Sequence, residues 1–181
     1  MLNSPVWRGR PSQITFCLGL LSGGVTSAFG FLLVGSVVRA FTPGSVWPWA
    51  LALFLAAVVL REFDVVKFWL PENRRLVPEG VHRHGRSFGP LQFGFELGTG
   101  MRTYVPSGLP YVLALSVAFV ASPVLALVAG IGFGCGRAMM ALANLRFSTD
   151  NSWDLAWISA HRVIKIVLVL AFLIPFVIAI L

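Results

Sequence analysis

The sequence predicts an all-α protein, a polytopic transmembrane helical bundle of about five spans in a single integral membrane domain, residues 1–181. Of its 181 residues, 57% are hydrophobic and only 12% are charged, and the mean hydropathy is +0.83. A soluble domain of this size needs a charged surface that this composition does not supply. Several apolar runs approach or exceed the roughly 20 residues needed to cross the hydrocarbon core of a bilayer. The predicted spans are residues 11–40, 46–62, 91–118, 123–145 and 159–181.

Span one is rich in glycine and follows two arginines, Arg8 and Arg10. Its apolar run is too long for the central region of a cleaved signal peptide and has no clear cleavage site, so we expect it to be retained. We expect Gly19 and Gly23 to permit close packing against another helix, as small residues do in lipid.

Span two is followed by a charged and aromatic segment, residues 62–70, which either extends the helix or lies along the membrane interface. Residues 71–90 form the one substantial hydrophilic loop. Its histidines, His82 and His84, lack the cysteines or carboxylates that would complete a metal site, so no metal is predicted. We expect this basic loop to contact anionic lipid headgroups.

Lys and Arg residues concentrate in alternate loops, which predicts the orientation of the chain. By the positive-inside rule, the amino terminus, the central loop and the 147–159 loop are cytoplasmic and the carboxyl terminus is outside. We expect the membrane to be the cell (plasma) membrane. The net charge of +7 therefore belongs to membrane-flanking loops, and no nucleic-acid partner is predicted.

Span three differs from the others because polar side chains occur within it: Gln92, Glu96, Thr99, Arg102, Thr103 and Tyr104. Hydrocarbon offers these groups no hydrogen bonds, so the helix is expected to face protein or water. Pro106 and Pro110 are expected to interrupt it.

Spans four and five are more uniform. Glycines recur along span four, and we expect Gly130 and Gly134 there, together with Gly100 of span three, to take part in helix packing. Span five is almost purely aliphatic after Lys165 and is expected to face lipid.

Glu96 and Arg137 lie at similar depths in adjacent antiparallel spans, which predicts an ion pair between them. An ionisable group at a helix centre costs about 2.5 to 3.5 kcal/mol by insertion scales, so such groups need a partner. The pair is either a gate or coupling site, or a salt bridge that fixes helix register. Arg102 lies deeper, and it either binds an anionic ligand or extends to the outer interface.

A shift of 77 residues aligns Phe16 and Leu20 with Phe93 and Leu97. If this similarity reflects a duplication, the bundle is a repeated two-helix hairpin followed by a C-terminal span. Both copies would then have the same orientation.

No catalytic motif is present, so no catalytic residue is predicted and any cofactor is unknown. Cys17 and Cys135 are too few for a disulfide framework. We interpret the chain as a small permease or transport component with a polar pathway along span three. The alternatives are a non-transporting accessory or assembly subunit, and a membrane enzyme or redox component that acts on a lipidic substrate. A homo-oligomer or a larger membrane complex is expected. The predicted pathway or ion-pair residues are Glu96, Arg137, Arg102, Thr99, Thr103 and Tyr104.

Overall fold

The computed structural model describes residues 10–70, 85–100, 107–147 and 152–180. Over these ranges the protein is all-helical, with six helices and no strand, which confirms the all-α part of the predicted fold class. The helices are α1 (Arg10–Arg39), α2 (Val46–Glu62), α3 (Gly85–Gly98), α4 (Leu109–Phe119), α5 (Pro123–Phe147) and α6 (Ser152–Ile180).

The predicted third span is two helices that lie end to end along α1. α3 packs on the first half of α1, where the rings of Phe16 and Phe93 stack with centroids 5.6 Å apart. α4 packs on the second half, where a Cβ atom at Gly35 would meet the backbone of Ala118. α3 and α4 therefore run in the same direction as α1, with a break between them.

α3 begins at Gly85, before the predicted start of this span at residue 91, and contains Pro90. Pro90 is the sixth residue of α3, where a proline removes one intrahelical hydrogen bond and its ring crowds a carbonyl of the preceding turn. Pro90 is also fully buried, so its packing offsets that loss.

α5 runs antiparallel to α1 with glycines at the contact. A Cβ atom at Gly24 would lie 2.5 Å from the carbonyl oxygen of Gly130, and one at Gly134 would lie 2.8 Å from that of Leu20. Real Cβ atoms do not approach backbone this closely, so only glycine permits this contact.

α1 and α3 also meet through glycines. A Cβ atom at Gly23 would lie 2.9 Å from the nitrogen of Thr99, and one at Gly98 would lie 2.9 Å from the Cα atom of Leu20. Gly19 faces the backbone of α3 in the same way. The two backbones are thus in direct contact over more than one helical turn.

Gly100, predicted to pack between helices, has another role. A Cβ atom there would meet only the ring of Phe133, at 3.9 Å. Its φ of 72° lies in the left-handed region that glycine adopts without strain, so it is the residue that turns the chain after α3.

α2 and α6 complete the bundle. α2 is antiparallel to α4, because Trp47 stacks on Phe119 at one end and Glu62 bonds to Gly108 at the other. α6 is antiparallel to α2, and its Val169 packs in the apolar cluster between α2 and α4. Successive described helices therefore alternate in direction, except that α3 and α4 share one direction.

The segment after α2 does not continue the helix. α2 ends at Glu62, and Asp64 has a φ of 60°, which reverses the chain. Leu70 is then buried against Gly108. Of the two predicted alternatives for residues 62–70, helix extension is therefore excluded.

Among the described residues, two helical stretches, Pro11–Arg39 and Pro123–Ala143, are long and apolar enough to cross a membrane. Only 33% and 17% of their most apolar stretches are buried within the chain. A core helix of a soluble protein would have most of its apolar side chains covered, whereas here most face outward.

Candidate functional site

The candidate site lies at the break between α3, which ends at Gly98, and α4, which begins at Leu109. At its near side the amides of Thr99 and Gly100 donate to the carbonyls of Phe95 and Leu97, at 2.9 and 3.1 Å, which closes the last turn of α3. At its far side α4 begins at Leu109. Each helix end leaves backbone groups without intrahelical partners.

The end of α3 is bound to α1 through a side chain. The hydroxyl of Ser27 donates to the carbonyl oxygen of Thr99 at 3.1 Å. The hydroxyl of Thr99 donates back along its own helix to the carbonyl of Glu96, at 2.8 Å. Ser27 thus satisfies one carbonyl group that the break would otherwise expose.

The start of α4 is capped by a carboxylate from another helix. Glu62, at the end of α2, is only 6% exposed, and its Oε1 atom accepts a hydrogen bond of 2.7 Å from the amide of Gly108. The hydroxyl of Ser107 accepts from the amide of Leu109 at 3.2 Å. An anionic acceptor suits this position because the amides at a helix start carry partial positive charge.

Lys165 of α6 completes this junction. Its ammonium group donates to the backbone carbonyl of Glu62 at 2.9 Å. That carbonyl lies in the last turn of α2, where carbonyls lack helical partners and a cation is favourable. Three helices, α2, α4 and α6, are therefore joined through Glu62.

A cavity of about 180 Å³ lies beside the break, between α1, α4 and α5. Its wall is mainly apolar, and Ser27, Thr99 and Tyr111 are its lining residues with polar side chains. The other lining residues are Gly24, Ala28, Phe31, Gly100, Pro110, Leu113, Ala114, Val117, Ala129, Gly130 and Phe133.

The structure places some of the predicted pathway residues around this cavity. Thr99 lines it, and the guanidinium of Arg137 lies over the ring of Phe133, another lining residue, at 5.6 Å from the ring centroid. Glu96 is one turn before Thr99, and its carboxylate accepts from the amide of Gln92 at 3.2 Å. Neither of these contacts joins Glu96 to Arg137, so their ion pair stays a prediction. Arg102, Thr103 and Tyr104 lie outside the described residues.

The roles of Glu62 and Lys165 were not predicted from the sequence. In the sequence, these roles are indicated only by the positions of the two residues: Glu62 follows the apolar run of α2, and Lys165 lies next to the apolar run of α6. Their contact joins residues 103 positions apart, and no local pattern indicates such a pair.

Within the described ranges, no group of three His, Cys, Asp or Glu residues could hold a metal ion. Cys17 is partly buried and Cys135 is exposed, and both are free thiols.

Comparison with protein-family models, curated proteins and solved structures found no match to this chain.

Proposed function

We propose that this chain is a multi-pass membrane protein whose spans are α1, α2, the broken pair α3 and α4, α5, and α6. The exposed apolar faces of α1 and α5 support this proposal. α2 has 17 residues, which at about 1.5 Å per residue is about 26 Å, close to the thickness of a bilayer core. The basic residues that follow α2 favour a cytoplasmic location for its carboxyl end, in the cell membrane.

We further propose that the protein is a small permease or transport component, with its substrate pathway at the break between α3 and α4. The observation that carries this proposal is the cavity beside the interrupted helix. Irregular backbone within a membrane occurs where it is covered by protein or lines a cavity, and discontinuous helices form the substrate sites of many transporters.

The cavity lining indicates the class of substrate. At about 180 Å³ it is smaller than the roughly 300–1,000 Å³ of pockets for drug-sized ligands, so it fits a small molecule. The wall is mainly apolar, and the hydroxyls of Ser27, Thr99 and Tyr111 are its polar side-chain groups. We propose a small, largely apolar substrate with one polar group, with Glu96 and Arg137 at the approach to the site.

Accessibility of the cavity from each side of the membrane tests this proposal. In a chain with Cys17 and Cys135 replaced by Ser, Thr99→Cys would be exposed to a small membrane-impermeant thiol reagent in oriented vesicles. Ala126→Cys is the control, because Ala126 is fully buried near the cavity without lining it. A transport pathway predicts labelling of Thr99→Cys from both sides and protection of Ala126→Cys. Protection of Thr99→Cys, or labelling from one side alone, would contradict it.

A second candidate function is an accessory subunit of a larger membrane complex or a homo-oligomer. Gly132 and Gly136 of α5 favour it, because Cβ atoms at these positions would meet nothing within 4 Å. Two small residues spaced by four permit another helix to approach closely. Gly136→Leu should reduce the mass of the detergent-solubilised complex to that of one chain if a helix docks there. If the variant and the parent protein have the same mass in detergent, this candidate is contradicted.

A further inference from the structure

A second cavity, of about 250 Å³, lies at the carboxyl end of α2 and is lined mainly by charged side chains. The basic ones are Arg61, Lys67 and Lys165, and the acidic ones are Glu62 and Asp64; Val66 and Phe68 complete the lining. The proposed transport pathway does not use this cavity. Three cations thus face two carboxylates, and the difference in charge favours an anionic ligand.

Two of the cations are held in place by backbone carbonyls. Arg61 donates from Nε to the carbonyl of Phe68 at 3.1 Å, and its guanidinium lies 5.6 Å from the centroid of the Phe68 ring. Lys165 donates to the carbonyl of Glu62 at 2.9 Å. A guanidinium has five N–H donors and an ammonium has three, so each group retains donors for an anion after these bonds.

The two carboxylates repel a bound anion less strongly than two unpaired carboxylates within the cavity would. Glu62 is buried, and its Oε1 atom is engaged by the amide of Gly108 at the positively polarised start of α4. Asp64 lines the cavity from the exposed turn that follows α2, where water weakens its repulsion of an anion without abolishing it. Because Glu62 holds the amide of Gly108, Asp64 is the carboxylate that can be replaced without losing that bond, and its removal should strengthen anion binding.

Large apolar side chains in the segment that follows α2 are exposed. Phe63, Val65 and Trp69 alternate along the chain with residues that line the cavity, and they are 48%, 67% and 81% exposed. Aromatic residues, tryptophan above all, favour the headgroup region of a bilayer. An anion bound here with an attached acyl chain would cover these side chains, whereas a free anion would leave them in water.

We propose that this cavity binds the phosphate of an anionic phospholipid at the cytoplasmic face, through Arg61, Lys67 and Lys165. The inference rests on the membrane placement proposed above but not on the transport activity. Basic cavities between helices on this side of a membrane are the recurring form of such sites.

The test uses the full chain in detergent with equal amounts of phosphatidylglycerol and phosphatidylcholine, and native mass spectrometry to count the lipid retained. The parent protein should retain phosphatidylglycerol preferentially. Lys67→Gln removes an exposed cation and should lower that preference roughly five-fold, which corresponds to the ~1 kcal/mol of one basic residue near an anionic surface. Asp64→Asn should raise the preference. Arg39→Gln, at the opposite end of the bundle, is the charge-matched control and should leave it unchanged.

Glycerol 3-phosphate separates a lipid site from a site for a free anion. If it displaces phosphatidylglycerol at equal concentration, the lipid assignment is overturned, because the acyl chains then contribute nothing. Equal retention of both lipids, or an equal effect of Arg39→Gln and Lys67→Gln, also overturns it. Labelling of Thr99→Cys from both sides would persist in these cases, so failure of the lipid site is distinguishable from failure of the transport proposal.

Discussion

The carboxylate of Glu62, in the last turn of α2, accepts a hydrogen bond of 2.7 Å from the backbone amide of Gly108, the residue that precedes α4. This contact fixes where the second half of the broken span begins. Gly108 also has little space around it, because a Cβ atom there would lie 2.7 Å from a methyl group of Val58. The end of α2 and the start of α4 are therefore packed and hydrogen-bonded as one unit.

Glu62→Ala should destabilise the protein more than Glu62→Gln. Alanine leaves the amide of Gly108 buried without its acceptor, which costs about 1–3 kcal/mol or more where the acceptor is charged. Glutamine retains an oxygen that accepts the bond but loses the charge. Thermal unfolding in detergent should rank the parent protein first, Glu62→Gln second and Glu62→Ala third. Equal midpoints for all three would show that the bond does not contribute to stability.

Gly98→Ala should separate α1 from α3. The added methyl would lie 2.9 Å from the Cα atom of Leu20. Such overpacking typically lowers the free energy of unfolding by about 1–3 kcal/mol. Gly30→Ala is the matched control, since it adds the same methyl to α1 in open space. The free energy of unfolding, measured by denaturant titration in mixed micelles, should fall for Gly98→Ala and stay level or rise for Gly30→Ala. The reverse order would contradict the glycine contact.

Ser27→Ala should loosen the end of α3 at the cavity. It removes the hydroxyl that donates to the carbonyl of Thr99, a bond worth about 0.5–1.5 kcal/mol. Ser36→Ala is the control, because its hydroxyl bonds only within α1, to the carbonyl of Leu33. Hydrogen exchange of the amides near Thr99 should accelerate in Ser27→Ala alone. Unchanged exchange of these amides would show that the Ser27 hydroxyl does not stabilise the end of α3.

The helical class and several boundaries could be predicted from the sequence because they depend on local patterns. The helix α2, Val46–Glu62, covers the same residues as the second apolar run of the sequence, since a proline and glycine turn precedes that run and charged residues follow it. The interruption of the third span was predicted from Pro106 and Pro110. The start of α3 was not, because the cost of Pro90 depends on how the folded chain packs around it.

The site could be predicted only in part. Thr99 was a predicted pathway residue and lines the cavity. The contacts of Glu62 with Gly108 and Lys165 join residues 46 and 103 positions apart, and only tertiary packing brings them together. The predicted pairing of Glu96 with Arg137 assumed equal depth, and depth alone does not determine which side chains meet.

Membrane placement is the central claim, and the accessibility of two single cysteines tests it most directly. Gly44→Cys lies in the exposed turn between α1 and α2, and Lys67→Cys lies in the exposed turn after α2. With Cys17 and Cys135 replaced by Ser, an impermeant maleimide applied to intact cells should label Gly44→Cys, and should label Lys67→Cys only after the membrane is opened. Equal labelling of both cysteines in intact cells, or of neither, would contradict a span between them.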